Sequence, residues 1–151
     1  MKKIMFVCHG NICRSPMAEF IFKDLLVKHH LHEQYFVTSC ATSREEIGNH
    51  PHQGTLMKLR EKGIPTNNHT AVQLTIEDAS NFDYLIAMDD YNIRNMERLV
   101  GLKYTDKMFR LKDFTDTPGN IADPWYTGDF DETYQDIMKG CLALLETLTH
   151  H

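Results

Sequence analysis

The sequence predicts an α/β fold, a parallel sheet of four strands with helices on both faces, and three observations support it. Short apolar runs alternate with longer segments that carry helical signals, as in chains whose parallel strands are joined by helical crossovers. The runs 4–7 and 84–88 are continuously apolar, which is typical of parallel strands buried on both sides. The 151 residues contain no repeat or linker, so we expect a single domain over 1–151.

Helix boundaries are marked by capping residues, glycine and proline. Ser15 is a candidate N-cap, and Pro16 suits the first helical position. Gly63 is expected to end the second helix, because glycine adopts the left-handed conformation that closes many helices, and Pro65 follows it. The predicted helices cover 15–30, 53–62, 90–99 and 130–148, with one helical turn at 75–78.

The strands place polar residues at one rim of the sheet. The predicted strands are 4–7, 35–39, 84–88 and 107–111, and 115–129 is predicted to be a loop rich in Asp, Pro and Gly. In an open α/β sheet, ligands bind beyond the carboxyl ends of the strands. The residues expected at this rim are Cys8, the segment 42–48, Asp89 and Asp123.

The segment after the first strand has the layout of a phosphate site. Gly10 and Asn11 tolerate left-handed conformations, so this turn can point consecutive N–H groups inward as an anion cradle. The following helix N-terminus adds positive charge, and Arg14 can hold two phosphoryl oxygens at once. In these surroundings we expect Cys8 to be a thiolate at neutral pH. The segment therefore predicts nucleophilic attack on a phosphate ester.

The run 6–19, FVCHGNICRSPMAE, resembles the signature of the low-molecular-weight protein tyrosine phosphatases. The segments 39–43, 82–89 and 123–126 resemble that family's other blocks in the same order, so the similarity spans essentially the whole chain. The resemblance implies the strand order 2-1-3-4 and hydrolysis of protein phosphotyrosine, and of aryl phosphate monoesters, through a cysteinyl-phosphate intermediate without a cofactor. Phosphotyrosine-containing proteins are the expected partners.

The resemblance also implies residue roles. Cys8 is the expected nucleophile and Arg14 the expected phosphate ligand. Asp123 is expected to protonate the leaving oxygen and then to activate water, because a departing phenolate must receive a proton. The phosphate-binding loop comprises His9, Gly10, Asn11, Ile12, Cys13, Arg14 and Ser15.

Further residues match supporting positions of the family. Asp89 matches the position that orients Arg14, and Cys13 is expected to capture oxidised Cys8 in a reversible disulfide. The residues that match the hydrogen-bonded network around the loop are Asn11, Ser15, Ser39 and His69.

Residues at the pocket mouth bear on specificity. The expected substrate pocket is formed by Ile12, Glu46, Trp125 and Tyr126. Related arginine phosphatases carry Thr where this chain has Ile12, so we expect phosphotyrosine rather than phosphoarginine. His9 departs from the apolar residue that commonly follows the nucleophile in the family.

Composition excludes several other functions. A net charge of -5 and a pI near 5.9 give nucleic-acid binding no support, and no segment is long enough to cross a membrane. The cysteine spacings are not those of a zinc site or a disulfide framework, and no metal site is expected among the histidines. We expect a cytoplasmic protein that is a monomer or self-associates weakly.

Three alternatives keep the same loop but differ in chemistry. An arsenate reductase of this fold needs a further pair of redox cysteines, and 70–110 contains none. A phosphoarginine phosphatase is the second alternative. A phosphate-binding adaptor without catalysis would lack the nucleophile or the acid, whereas Cys8 and Asp123 are both present.

Overall fold

The computed structural model describes residues 1–150. The strands are β1 Lys2–Cys8, β2 Tyr35–Ala41, β3 Tyr84–Ala87 and β4 Met108–Arg110. The helices are α1 Arg14–Lys28, α2 Gln53–Glu61, α3 Ile76–Asn81, α4 Asp90–Val100, α5 Pro124–Thr127 and α6 Phe130–Thr149. Two 3₁₀ turns cover Leu102–Lys107 and Leu111–Phe114.

The strands form a four-stranded parallel sheet in the order β2-β1-β3-β4 within the described residues. Alternate side chains of the central strand β1 enter two different cores, as the two-residue period of a strand requires. Ile4, Phe6 and Cys8 pack under α1, α2 and α6, whereas Met5 and Val7 pack under α3 and α4. The predicted α/β fold, its strand order and its helices on both faces are confirmed.

Backbone hydrogen bonds join the segments that leave the carboxyl ends of the strands. The Cys8 carbonyl accepts from the Thr42 N–H at 2.9 Å, and the His9 carbonyl accepts from the Ser43 N–H at 3.0 Å. The Ile121 N–H donates to the Met88 carbonyl at 2.9 Å, which fixes the segment before α5 to the end of β3. These bonds gather three connecting segments at one rim of the sheet.

The first helix begins differently from the prediction. Helix α1 starts at Arg14 after an N-cap at Cys13 that makes no side-chain capping bond, so the prediction of Ser15 as N-cap is wrong. Ser15 lies in the first turn, where its hydroxyl contacts the Cys8 sulfur instead of capping the backbone. Asn11 has a φ of 59° and is therefore left-handed. Gly10, which could also have adopted this conformation, has no positive φ.

Local signals explain the remaining differences. The predicted loop 115–129 contains α5, because Asp123 caps that helix and Pro124 occupies its first position. Strand β2 runs two residues beyond Ser39, to Ala41, since its pairing with β1 continues to Cys8. The predicted strand 107–111 is shorter in the structure, because Lys107 and Leu111 belong to the two flanking 3₁₀ turns, which carry no periodic signal. Across residues 1–150, no helix combines the length and apolar character needed to span a membrane.

Candidate active site

Two hydrogen-bond donors face the Cys8 sulfur at the end of β1. The Asn11 N–H donates to Sγ at 3.3 Å, and the Ser15 Oγ lies 3.0 Å from it. The Ser15 oxygen accepts from Asn11 Nδ2 at 2.8 Å, and its single proton has two acceptors within reach, the sulfur at 3.0 Å and the Cys40 carbonyl at 3.4 Å. An N–H, a hydroxyl and the nearby N-terminus of α1 therefore face the sulfur.

Asn11 is the centre of a buried hydrogen-bond network beneath the loop. Its Nδ2 donates to Ser39 Oγ at 2.9 Å, and its Oδ1 accepts from His69 Nε2 at 2.8 Å and from the Val72 N–H at 3.3 Å. Ser39 in turn donates to Glu19 Oε1 at 2.6 Å. All side-chain polar atoms of Asn11 are therefore bonded, which holds this non-glycine residue in its left-handed conformation.

His69 completes this network as a donor. Burial lowers its pKa, although the nearby Glu19 carboxylate partly opposes that effect. A neutral ring with its proton on Nε2 matches the bond to the Asn11 carbonyl oxygen. The network residues expected from the sequence are thus brought together by the structure.

Sequence reasoning missed Glu19 as a member of the network. Its side chain is 3% exposed and also accepts from Lys23 Nζ at 2.6 Å. The i,i+4 spacing of these two residues is typical of an exposed helical pair, so it gave no sign of burial. The available signal was the largely apolar run 16–22 around Glu19, a stretch of α1 that is buried on every side.

Arg14 is held at a fixed orientation beside the sulfur. Its Nη1 donates to Asp89 Oδ2 at 2.7 Å and to the Ile121 carbonyl at 2.8 Å, and Nη2 lies 3.4 Å from Asp123 Oδ2. Burial tends to lower the pKa of this guanidinium, but Cys8, Asp123 and Asp89 together raise it above its ordinary value. The buried side chain therefore stays cationic, with both of its terminal nitrogens facing acceptors.

Asp89 has two structural functions at once. It is the N-cap of α4, where Oδ1 accepts from the Asn92 N–H at 2.7 Å, while Oδ2 binds Arg14. The carboxylate thus couples the start of a helix to the orientation of the guanidinium. Its position directly after β3 and Met88 made this placement predictable from the sequence.

Asp123 lines the same cavity from the start of α5. Its Oδ1 accepts from the Trp125 N–H at 3.0 Å as the N-cap of α5, and its side chain keeps 24% of its surface exposed. Its Oδ2 is the oxygen nearest Arg14. Oδ1 therefore fixes the carboxyl group to the start of α5, and Oδ2 pairs with Arg14, which lines the same cavity.

A cavity of about 280 Å³ collects these groups. Cys8, Arg14 and Asp123 line it together, and Trp125 and Tyr126 form an exposed aromatic wall. Its remaining lining residues are His9, Gly10, Ile12, Cys13, Glu45 and Glu46. Every residue that the sequence placed in the substrate pocket is present here, and Glu45 lines the cavity beside Glu46.

His52 ties the aromatic wall to the phosphate loop and was not predicted from the sequence. Its N–H donates to the Ile12 carbonyl at 2.7 Å, and its ring stacks on Phe130 at 5.2 Å and meets Trp125 edge-on at 5.9 Å. Gly54 makes this arrangement possible, because a Cβ there would lie 2.4 Å from the Phe130 ring. Phe130, at the start of α6, therefore supports Trp125 of the pocket wall through the imidazole of His52.

The thiols differ in their access to the cavity. Cys13 lines it, and burial, with a further contribution from Cys8, raises the pKa of its thiol to about 12. Burial also raises the pKa values of Cys40 and Cys141, which lie in the two hydrophobic cores. Among residues 1–150, no cluster of three or more potential metal-binding side chains is present.

Comparison with known proteins matches almost all of the chain to one family. The family model described as "Low molecular weight phosphotyrosine protein phosphatase" matches residues 3–151. The low molecular weight protein-tyrosine-phosphatase YfkJ of Bacillus subtilis is 42% identical over 150 residues, covering 98% of this chain and 96% of its own. The human low molecular weight phosphotyrosine protein phosphatase is 39% identical, covering 96% of this chain and 94% of its own.

Solved structures agree with these sequence matches. The crystal structure of YfkJ superposes with a TM-score of 0.95, covering 98% of this chain and 94% of that one. The Drosophila arginine phosphatase is 31% identical, with a TM-score of 0.88 and coverage of 99% and 98% of the two chains. The same architecture therefore occurs in relatives named as tyrosine phosphatases and in one named as an arginine phosphatase.

Proposed function

The chain belongs to the low molecular weight phosphotyrosine protein phosphatase family, and on this premise we propose the roles of its site residues. It is a protein-tyrosine phosphatase, and its substrates are proteins that contain phosphotyrosine. The observation that carries the assignment of roles is the cavity that Cys8, Arg14 and Asp123 line together. A nucleophile, a phosphate ligand and an acid then face one bound phosphate ester.

In the first half-reaction, the Cys8 thiolate attacks phosphorus and the bond to the tyrosyl oxygen breaks. Arg14 and the N-terminus of α1 stabilise the charge on the equatorial phosphoryl oxygens. Asp123 gives its proton to the departing phenolate from Oδ2, the oxygen beside Arg14 Nη2, while Oδ1 is held by the Trp125 N–H. The products are tyrosine and a phosphocysteine.

In the second half-reaction, water attacks the phosphocysteine and releases inorganic phosphate. The Asp123 carboxylate, now without its proton, accepts one from that water. Ser15 and the Asn11 N–H stabilise the Cys8 thiolate as it leaves. The polar network beneath the loop keeps both donors aimed at the sulfur.

The test of this function compares substrates of the three phosphorylated residue types. We expect turnover of phosphotyrosine peptides well above that of phosphoserine and phosphoarginine peptides of the same sequence. The Drosophila arginine phosphatase is a structural neighbour, so phosphoarginine hydrolysis is the specific competing activity. Ile12, which places an apolar side chain in the cavity lining, favours an aromatic ring. Faster hydrolysis of phosphoarginine would reverse the assignment.

Asp123→Asn is expected to slow aryl phosphate hydrolysis, and the loss should be larger for substrates whose leaving group is more basic. Asparagine is also a good N-cap, so α5 keeps its cap while the proton is lost. A general acid contributes roughly 10²–10⁴-fold, so tyrosyl phosphate should lose about that factor. Nitrophenyl phosphate, whose phenolate leaves readily, should lose much less.

The measurement is a leaving-group series under single-turnover conditions. Asp116→Asn makes the same chemical change in the exposed part of the preceding segment and should leave the series unaltered. An equal loss across all leaving groups would contradict proton donation by Asp123.

We also propose that Cys13 protects the nucleophile from irreversible oxidation. Peroxide converts the Cys8 thiolate to a sulfenic acid, and attack by Cys13 sulfur forms a disulfide with release of water. The Cys13 thiol has a pKa of about 12, so its thiolate fraction falls about tenfold for each pH unit below that value. Disulfide formation should therefore accelerate steadily as the pH rises from neutrality.

The expected result is full recovery of the peroxide-treated wild type by dithiothreitol and poor recovery of Cys13→Ser. Cys40→Ser serves as control, because its sulfur lies in the core opposite the Cys8 side of the sheet. Mass spectrometry should find the 8–13 disulfide in the wild type, forming faster at higher pH. Rapid irreversible loss that is the same in wild type and Cys13→Ser would exclude protection.

Three further expectations stay predictions for this chain. We expect one catalytic domain over 1–151, a cytoplasmic location, and a monomer or weak self-association. Size-exclusion chromatography with light scattering tests the last of these directly.

A further inference from the structure

A second cavity of about 270 Å³ adjoins the active-site cavity, and His9 lines both. One side is the turn that follows β2, and the other is a face of α4 whose lining residues recur with helical spacing. We call this cavity the α4 groove, and its residues are His9, Thr42, Ser43, Tyr91, Asn95, Arg98 and Leu99.

The charge of the α4 groove is opposite to that of the neighbouring mouth. Arg98 is its permanently charged lining residue, and its Nη1 donates to Asn95 Oδ1 at 3.1 Å. The active-site mouth instead carries Glu45 and Glu46, and Glu45 pairs with the imidazole of His9. An anionic group is therefore favoured in the groove, a short way from the phosphate pocket.

Thr42 forms part of the groove wall without offering its hydroxyl to a ligand. Its side chain is more than nine-tenths buried, and Oγ1 has no hydrogen-bond partner within the part of the chain that the structure describes. Because Oγ1 is shielded from the groove, the polar contacts of a bound group are left to Arg98, Asn95 and Ser43. Tyr91 and Leu99 add apolar surface to the same groove.

We propose that the α4 groove binds the peptide that flanks the phosphotyrosine of a protein substrate, with an acidic side chain of that peptide on Arg98. The proposal rests on the proposed function, since it describes how the same site selects its substrates. A peptide with its phosphorylated ring in the pocket can extend past His9, the residue shared by both cavities. Hydroxyl, amide and aromatic side chains suit peptide backbone and side chains, whereas nucleic acid would require several cations.

The first experiment measures kcat/KM for pairs of phosphotyrosine peptides that differ only by Glu or Gln at each flanking position. We expect the wild type to prefer Glu by about threefold at one or two positions, the size typical of an exposed ion pair. High salt should reduce the preference, because it screens exposed charges. No preference at any position would overturn the proposal.

Charge reversal then tests Arg98 itself. Arg98→Gln should remove the Glu preference, and Arg98→Glu should replace it with a preference for Lys at the same position. Arg94→Glu is the matched control, since Arg94 is exposed on the same helix but does not line the groove. A Glu preference that survives in Arg98→Glu would contradict the assignment.

A small aryl phosphate supplies a comparison that does not depend on the groove. Arg98→Gln should lower hydrolysis of the preferred peptide relative to that of para-nitrophenyl phosphate, which has no flanking residues to reach the groove. An unchanged ratio in Arg98→Gln would contradict the assignment. Failure of the wild type to hydrolyse para-nitrophenyl phosphate would instead refute the proposed function, so the two failures are distinguishable.

Discussion

Cys8→Ser is expected to abolish phosphatase activity while the protein still binds phosphate ligands. A serine hydroxyl is not ionised at neutral pH, and its neighbours Ser15 and Asn11 are donors rather than bases that could activate it. Loss of a catalytic nucleophile commonly lowers kcat by on the order of 10⁴-fold or more. The loop, Arg14 and its partners are unchanged, so affinity for the product phosphate should persist.

Two measurements check this result. Initial rates with a phosphotyrosine peptide give the loss of turnover, and phosphate competition in a binding assay gives the retained affinity. Rapid quenching of the wild type followed by mass spectrometry should show phosphate on Cys8, and Cys141→Ser, whose sulfur lies in the core, should remain active. Residual turnover in Cys8→Ser within tenfold of the wild type would exclude covalent catalysis by this sulfur.

Arg14→Lys should be almost as damaging, although the charge is kept. Arginine reaches Asp89 and the Ile121 carbonyl through Nη1 and still directs Nη2 toward the cavity. A single ammonium cannot keep these contacts and also bind two phosphoryl oxygens. Removing one positioned donor to a transition-state oxyanion costs roughly 10²–10³-fold in kcat, and we expect at least that loss here.

The control substitutes Arg110, which also pairs with two aspartates but lies outside the cavity. Arg110→Lys alters ion pairs to Asp90 and Asp113 at the surface and should leave kcat near the wild-type value. Thermal denaturation of both variants separates catalytic loss from unfolding. If Arg14→Lys retains wild-type kcat with normal stability, the fork geometry of the guanidinium is not required.

Much of the site follows from topology, which the sequence reveals well. Continuous apolar runs marked the buried parallel strands, and parallel strands bring Cys8, Asp89 and the segment before α5 to one rim. The residue types in the loop then indicated phosphate chemistry. Local signals and long-range geometry agreed at these positions, so the prediction extended from elements to the site.

The sequence was less informative where a side chain serves a distant partner. Ser15 has the residue type of an N-cap, but its hydroxyl is directed to the Cys8 sulfur. Glu19 has the spacing of an exposed ion pair, yet it lies beneath the loop. His52 meets Phe130 and Trp125 only after α6 has packed. These contacts depend on tertiary structure, which local pattern does not encode.

The bonds of Arg14 to Ile121 and Asp123 span 107 and 109 residues of chain. A nascent polypeptide that has only its first half outside the ribosome therefore possesses the thiol but lacks both of these carboxy-terminal partners of the guanidinium. Enzymatic turnover should begin after synthesis is nearly finished, and it should disappear together with global unfolding in denaturant. Activity in this protein consequently reports on completion of its tertiary structure.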